Sequence, residues 1–127
     1  MQANGVIVRE SPYRVTESMD MLQEYLIEQG ATVYKRIDQQ KEVLNAGHKI
    51  LPLEFILFGN PKAGSKLMAE NLLVALDLPQ KVIAWEDSDK KVWLAYNSAT
   101  YLEDRYSLKH NPHSPLDLEI MIMKLFG

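Results

Sequence analysis

The chain has 127 residues, 46% of them hydrophobic, which suits one domain able to close a single core without metals or disulfides. Fourteen Lys and Arg against 17 Asp and Glu give a net charge of −3, so no global field draws in nucleic acid or an anionic membrane. The absence of cysteine removes disulfides, thiolate nucleophiles, iron-sulfur clusters and finger-type zinc sites together.

Val6, Ile7 and Val8 make a first strand over residues 5–10, punctuated by Ser11 and Pro12. From about Thr16 to Gln29, Met19, Leu22, Tyr25 and Leu26 recur at helical steps before the stop at Gly30. This predicts an amphipathic helix packed on a sheet. Residues 31–37 alternate as a second strand, and Asp38 is placed to cap a short helix through Leu44 that Gly47 ends. Leu53 to Phe58 is apolar except at Glu54, the pattern of a central strand covered on both faces.

Asn60 then supplies an N-cap and Pro61 the first helical position. A helix is expected through Leu67 and Met68, with a break near Asn71 and a brief resumption before Leu78 and Pro79. Residues 81–86 and 92–96 flank a polar, turn-prone stretch as a β-hairpin, with Trp85 and Trp93 able to close the core from one face. Asn97 or Ser98 caps a helix holding Tyr101, Leu102 and Arg105. Ser114 and Pro115 repeat the cap-plus-proline signal and open a last helix, about 114–126, apolar around most of its circumference. Such a helix is deeply buried or meets another subunit.

The motif with most chemical content is Gly59 to Lys66, which reads G-x-x-x-x-G-S-K. A phosphate loop needs Lys directly after the second Gly and the hydroxyl next; here the order is reversed, and Pro61 removes a cradling N–H, so nucleotide hydrolysis is disfavoured. A weaker expectation stands: Asn60, Lys62, Gly64, Ser65 and Lys66 at one helix start could hold a small anion. The alternative is a strand-to-helix turn with solvated lysines. His110 and His113, near Asp117, are read as a solvated loop rather than a metal site, and the acidic group Glu86, Asp87 and Asp89 lacks the spacing of a calcium loop. The methionines are core filler at helical spacing. No metal and no cofactor is expected.

The order Arg36-Ile37-Asp38, Ala46-Gly47, Phe58-Gly59-Asn60-Pro61-Lys62-Ala63-Gly64, Leu67-Met68, Leu78-Pro79, Trp85-Glu86-Asp87, Val92-Trp93 and Tyr96-Asn97 resembles domain-of-unknown-function family 302, a bacterial and archaeal family. The resemblance covers roughly residues 6–108. It implies an α+β fold like half of the TATA-binding protein: one domain over residues 1–127, with a mostly antiparallel twisted sheet of about five strands backed by helices and a C-terminal helical extension. It also implies a homodimer, without an established activity. Family members usually carry His, Arg and His where this chain has Gln39, Leu51 and Tyr106. If the family has an acid-base or metal site built on those histidines, Gln39 and Tyr106 would make this copy unable to run it in the same way. Asp38, Asn60, Lys62, Glu86 and Arg105 remain for polar binding.

The leading expectation is thus a cytoplasmic, homodimeric, non-enzymatic module that binds a small anionic ligand or a protein partner, with no nucleic acid or membrane partner. Two alternatives stand beside it. One is an enzyme acting on a phosphorylated or carboxylated metabolite through Lys62, Asp38 and Glu86; the other is a purely structural protein dimerised through its last helix.

Overall fold

The computed structural model describes residues 2–127. Five antiparallel strands form one sheet in the order β1-β5-β4-β3-β2. They are β1 (Val6–Ser11), β2 (Thr32–Asp38), β3 (Leu53–Gly59), β4 (Gln80–Glu86) and β5 (Val92–Asn97). Helix α1 (Val15–Glu28) joins the two edge strands, and α2 (Gln39–Asn45) follows β2. Helix α3 (Pro61–Glu70), a 3₁₀ helix (Leu72–Asp77), α4 (Ala99–Arg105) and α5 (Glu119–Phe126) complete the α+β domain.

Local chemistry explains most boundaries. Asp38, Asn60 and Ser98 each accept a backbone N–H of the helix they open, from Lys41, from Lys62 and Ala63, and from Tyr101 respectively. Gly30 and Gly47 take positive φ just past α1 and α2, where a side chain would be strained. Gly5, at φ +75°, is held more tightly, because a Cβ there would run into the Tyr101 ring.

Strand pairing sorts the side chains into two faces. Ile56, Phe58, Val82, Ala84, Leu94 and Tyr96 point at Met19, Leu22, Leu26, Met121, Ile122 and Phe126 from α1 and α5, forming the main core. A second apolar cluster, Leu67, Val74, Leu102, Tyr106, Leu108 and Leu116, gathers α3, the 3₁₀ helix and α4.

Three expectations change. Strand β3 is interior, between β4 and the edge strand β2, yet its burial alternates, with Glu54, Ile56 and Phe58 buried and Phe55 and Leu57 half-buried, because α1 packs on one face only. Trp85 and Trp93 pair across the hairpin on that other face, outside the core. The last helix starts at Glu119, not near Ser114. Ser114 Oγ accepts the Leu116 N–H and Asp117 accepts the Glu119 N–H, so residues 114–118 turn instead of winding into a helix. Met121, Ile122 and Phe126 of α5 are buried, whereas Ile120 and Met123 face outward.

Candidate functional site

Helix α3 is where the sequence placed the chemistry, and its two faces divide that chemistry. Asn60 Oδ1 accepts the Lys62 and Ala63 N–H groups at 3.0 and 3.4 Å, the Gly64 N–H bonds Asn60 O at 2.8 Å, and Pro61 has no N–H. The first-turn amides are thus consumed within the helix, and the Ser65 hydroxyl donates to Lys62 O at 2.8 Å. Lys62, Ser65 and Lys66 lie on the exposed outer face. Asn60, Gly64, Leu67 and Met68 repeat at helical spacing on the inner one.

That inner face walls a pocket of about 490 Å³. The opposite walls are the end of α1 (Tyr25, Leu26), the end of β3 (Phe58) and the segment Leu116–Leu118 with Met121. The pocket sits on the seam between the two apolar clusters: Leu26, Phe58, Leu118 and Met121 belong to one, Leu67 and Leu116 to the other. Its polar groups are few, and among the described residues no Lys or Arg lines it. Gly64 has a structural reason to be small, since a side chain there would enter this space. Its Cβ would meet only Leu78 and Met68, at 3.9 and 4.0 Å.

The C-terminal wall is tied down at two points. Gln80 Nε2 donates to Pro115 O at 3.0 Å. Glu119 accepts from Tyr96 Oη at 2.5 Å and from Arg9 Nη2 at 2.9 Å. Partial burial alone would raise the Glu119 carboxyl, but these two bonds outweigh it and hold its pKa below the ordinary carboxylate value. Tyr96 is shifted the opposite way, by burial first and then by the adjacent carboxylate.

The remaining candidates lie elsewhere. Asp38 and Glu86 share a small polar cleft of about 200 Å³ with Arg14, Thr16 and Glu54. Asp38 pairs with Glu54 at the start of β3, whereas Asn60 follows its end, so the two sites stand about 20 Å apart at 3.3 Å per residue. The groups a metabolite enzyme would use, Lys62 with Asp38 and Glu86, are not gathered. Beside the cleft, Glu54 is buried with both oxygens occupied: Arg36 Nε and Nη2 reach Oε1 at 3.2 and 3.1 Å, and Thr16 Oγ1 reaches Oε2 at 2.6 Å. Arg105 is committed to Asp77 at 3.0 Å, alongside a short hydrogen bond from the Tyr106 hydroxyl to the same carboxylate. Tyr106 is therefore a buried structural donor in its cluster. Gln39 begins α2 and Leu51 is half exposed. His110 pairs with Asp104 at 2.6 Å, and among the described residues no group of His, Asp and Glu could hold a metal ion.

The chain matches the model of a domain of unknown function, DUF302, over residues 7–120. It belongs to the DUF302 family. The match runs past the expected limit near Leu108 and takes in the pocket's C-terminal wall. The crystal structure of an uncharacterized conserved DUF302 protein from Bacillus stearothermophilus superposes with a TM-score of 0.74 at 18% identity, covering 97% of this chain and 94% of that one. That likeness establishes the shared fold. Among curated relatives, the fluoride-specific ion channel FluC 1 of Brucella suis is 36% identical over 105 residues, 83% of this chain and 41% of its own length. FluC 1 of Brucella abortus matches over the same length at 36% identity, with 39% of its length covered. This DUF302 chain thus spans about two fifths of the curated relatives it matches. Among its described residues no helix is long and apolar enough to cross a membrane.

Sequence reasoning reached Asn60 and Gly64 but missed Tyr25, Leu26, Leu116 and Met121 as pocket residues. No local signal marks them, because each reads as ordinary core until the fold leaves a space between them.

Proposed function

We propose that this DUF302 protein is a cytoplasmic, non-enzymatic module that holds a small molecule in the pocket between α1, α3 and the C-terminal segment. The pocket itself carries the reading. Its volume falls within the range of roughly 300–1,000 Å³ usual for small-molecule sites, and its wall is apolar with a few polar groups. The charged candidates, by contrast, are dispersed or already paired. That a similar segment forms part of longer Brucella proteins named as fluoride channels supports a module that works beside another protein. An NMR fragment screen tests the proposal: fragments should shift Leu26, Phe58, Leu67 and Met121 in the wild type and not in Gly64→Leu. A screen in which no fragment moves those signals would overturn it.

A second copy of the chain is the protein partner we propose. The support is the open face of the sheet, where the half-buried Phe55, Ile83, Trp85 and Trp93 lie outside the main core. Five strands about 4.8 Å apart and six residues long present about 480 Å² in outline, so two copies face to face would bury roughly 1,000 Å², near the lower bound for a specific interface. Sedimentation should show a dimer that Ile83→Asp converts to a monomer; a wild-type monomer at 50–100 μM, on the order of ordinary assay concentrations, would refute this partner.

A further inference from the structure

We infer that the pocket beneath α3 takes a neutral, single-chain amphiphile, an apolar body carrying an uncharged hydroxyl or carboxamide head, and excludes the matching carboxylate. The inference rests on the pocket being the site, as proposed above, and adds the chemistry of its occupant.

Polar groups in the wall set the head. They come from Tyr25, Gln29, Tyr34, Asn60, Gln80 and Asp117. The one carboxylate among them belongs to Asp117, exposed at the rim with Oδ1 accepting the Glu119 N–H, and it repels an anion. Of the lysines next to lining residues, Lys62 and Lys66 occupy the outer face of α3, Lys35 is exposed and Lys81 sits over the Phe55 ring, and none of them lines the space. A carboxylate entering here would shed hydration without meeting a counter-charge.

Two amide side chains are half used. Asn60 Oδ1 is spent on capping α3, which leaves its NH₂ as a donor. Gln80 Nε2 is spent on Pro115 O, which leaves its carbonyl oxygen as an acceptor. Gln80 pairs with Phe58 across the sheet, two residues before Asn60, so donor and acceptor belong to the same end of the pocket. A hydroxyl or carboxamide both donates and accepts and can serve the pair; a carboxylate can serve only the donor. For the body, Leu26, Phe58 and Met121 from one apolar cluster and Leu67 from the other line the space with apolar side chains. The volume equals about 16 water molecules at 30 Å³ each, enough for a chain on the order of ten carbons.

The test is isothermal titration of the full chain with two series, 1-hexanol, 1-octanol and 1-decanol below their solubility limits against hexanoate, octanoate and decanoate below their micelle concentrations at pH 8. Alcohol affinity should rise about fourfold per methylene, and each alcohol should bind at least about tenfold more tightly than its carboxylate. Lys62→Ala/Lys66→Ala should change neither series, Asp117→Asn should narrow the gap, and Gly64→Leu should abolish binding, with Ala63→Leu as a second filling variant. Carboxylates binding as tightly as alcohols would overturn the inference while leaving the pocket as the site. Failure of both series, or affinities unchanged by both filling variants, would sink the pocket reading with it. A filling variant that converts a ligand-free dimer to a monomer would assign the pocket to a second copy and overturn the neutral-amphiphile assignment.

Discussion

Arg36 and Glu54 are joined in one ion pair, yet removing either should not cost the same. In Arg36→Met, the Glu54 carboxylate, only 8% exposed, keeps one partner, the Thr16 hydroxyl. Leaving a buried charge without its counter-ion costs about 3–5 kcal/mol. In Glu54→Leu the stranded group is Arg36, which retains Asp20 at 2.6 Å, Gln23 at 3.2 Å, Thr16 O at 3.3 Å and contact with water. The loss should be about 1–2 kcal/mol, since leucine also spares the desolvation of the carboxylate. The double variant should lie close to Glu54→Leu, because the expensive species, the lone buried anion, is gone. Urea denaturation with unchanged slope reads these differences, and for a domain of this size each kcal/mol corresponds to about 3–5 °C in Tm. Equal costs for the two single variants, or a larger one for Glu54→Leu, would refute the assignment of Glu54 as the buried, dependent partner.

Asn60→Ala should destabilise the protein by about 1 kcal/mol, through the lost cap on α3, whereas Asn60→Asp should keep that stability while weakening alcohol binding; a chemical-denaturation curve and a titration separate the two roles. Gly5→Ala should lower Tm by several degrees, on the order of 1–3 kcal/mol, since both the positive φ and the Tyr101 ring oppose a side chain; a neutral result by calorimetry would contradict the close approach. Glu119 has a folded pKa below its unfolded value, so its contribution is present above the unfolded pKa near 4.5 and is lost as pH falls through the folded one. Glu119→Gln should therefore show a shallower loss of stability than the wild type below pH about 4.5, measured as Tm against pH.

Wherever a boundary depends on a few adjacent atoms, the residues announced it. Asp38, Asn60 and Ser98 cap the helices that follow them, and the polar stretch after Glu86 turns the hairpin between β4 and β5. The apolar spacing of Met19, Leu22 and Leu26 specified the buried stripe of α1 for the same reason: helix geometry alone puts them on one side. At Ser114 and Pro115 the local signal misled, because a serine that accepts from Leu116 makes a turn as readily as a helix cap, and the Gln80 bond to Pro115 O favours the turn.

Tertiary structure decided which groups share a place. Asp38, Asn60 and Glu86 look equally available in the chain, yet the length of β3 separates the first and last from the second. Gly59 to Lys66 reads as one stretch in the chain, but winding it into a helix turned Lys62 and Lys66 to solvent and Gly64 toward a space completed by Leu26 and Met121. Caps, turns and amphipathic stripes are properties of neighbouring residues, so the chain determines them by itself. A pocket is the gap left where segments nearly a hundred residues apart in sequence fail to fill the volume between them, and only their packing sets its shape and polarity.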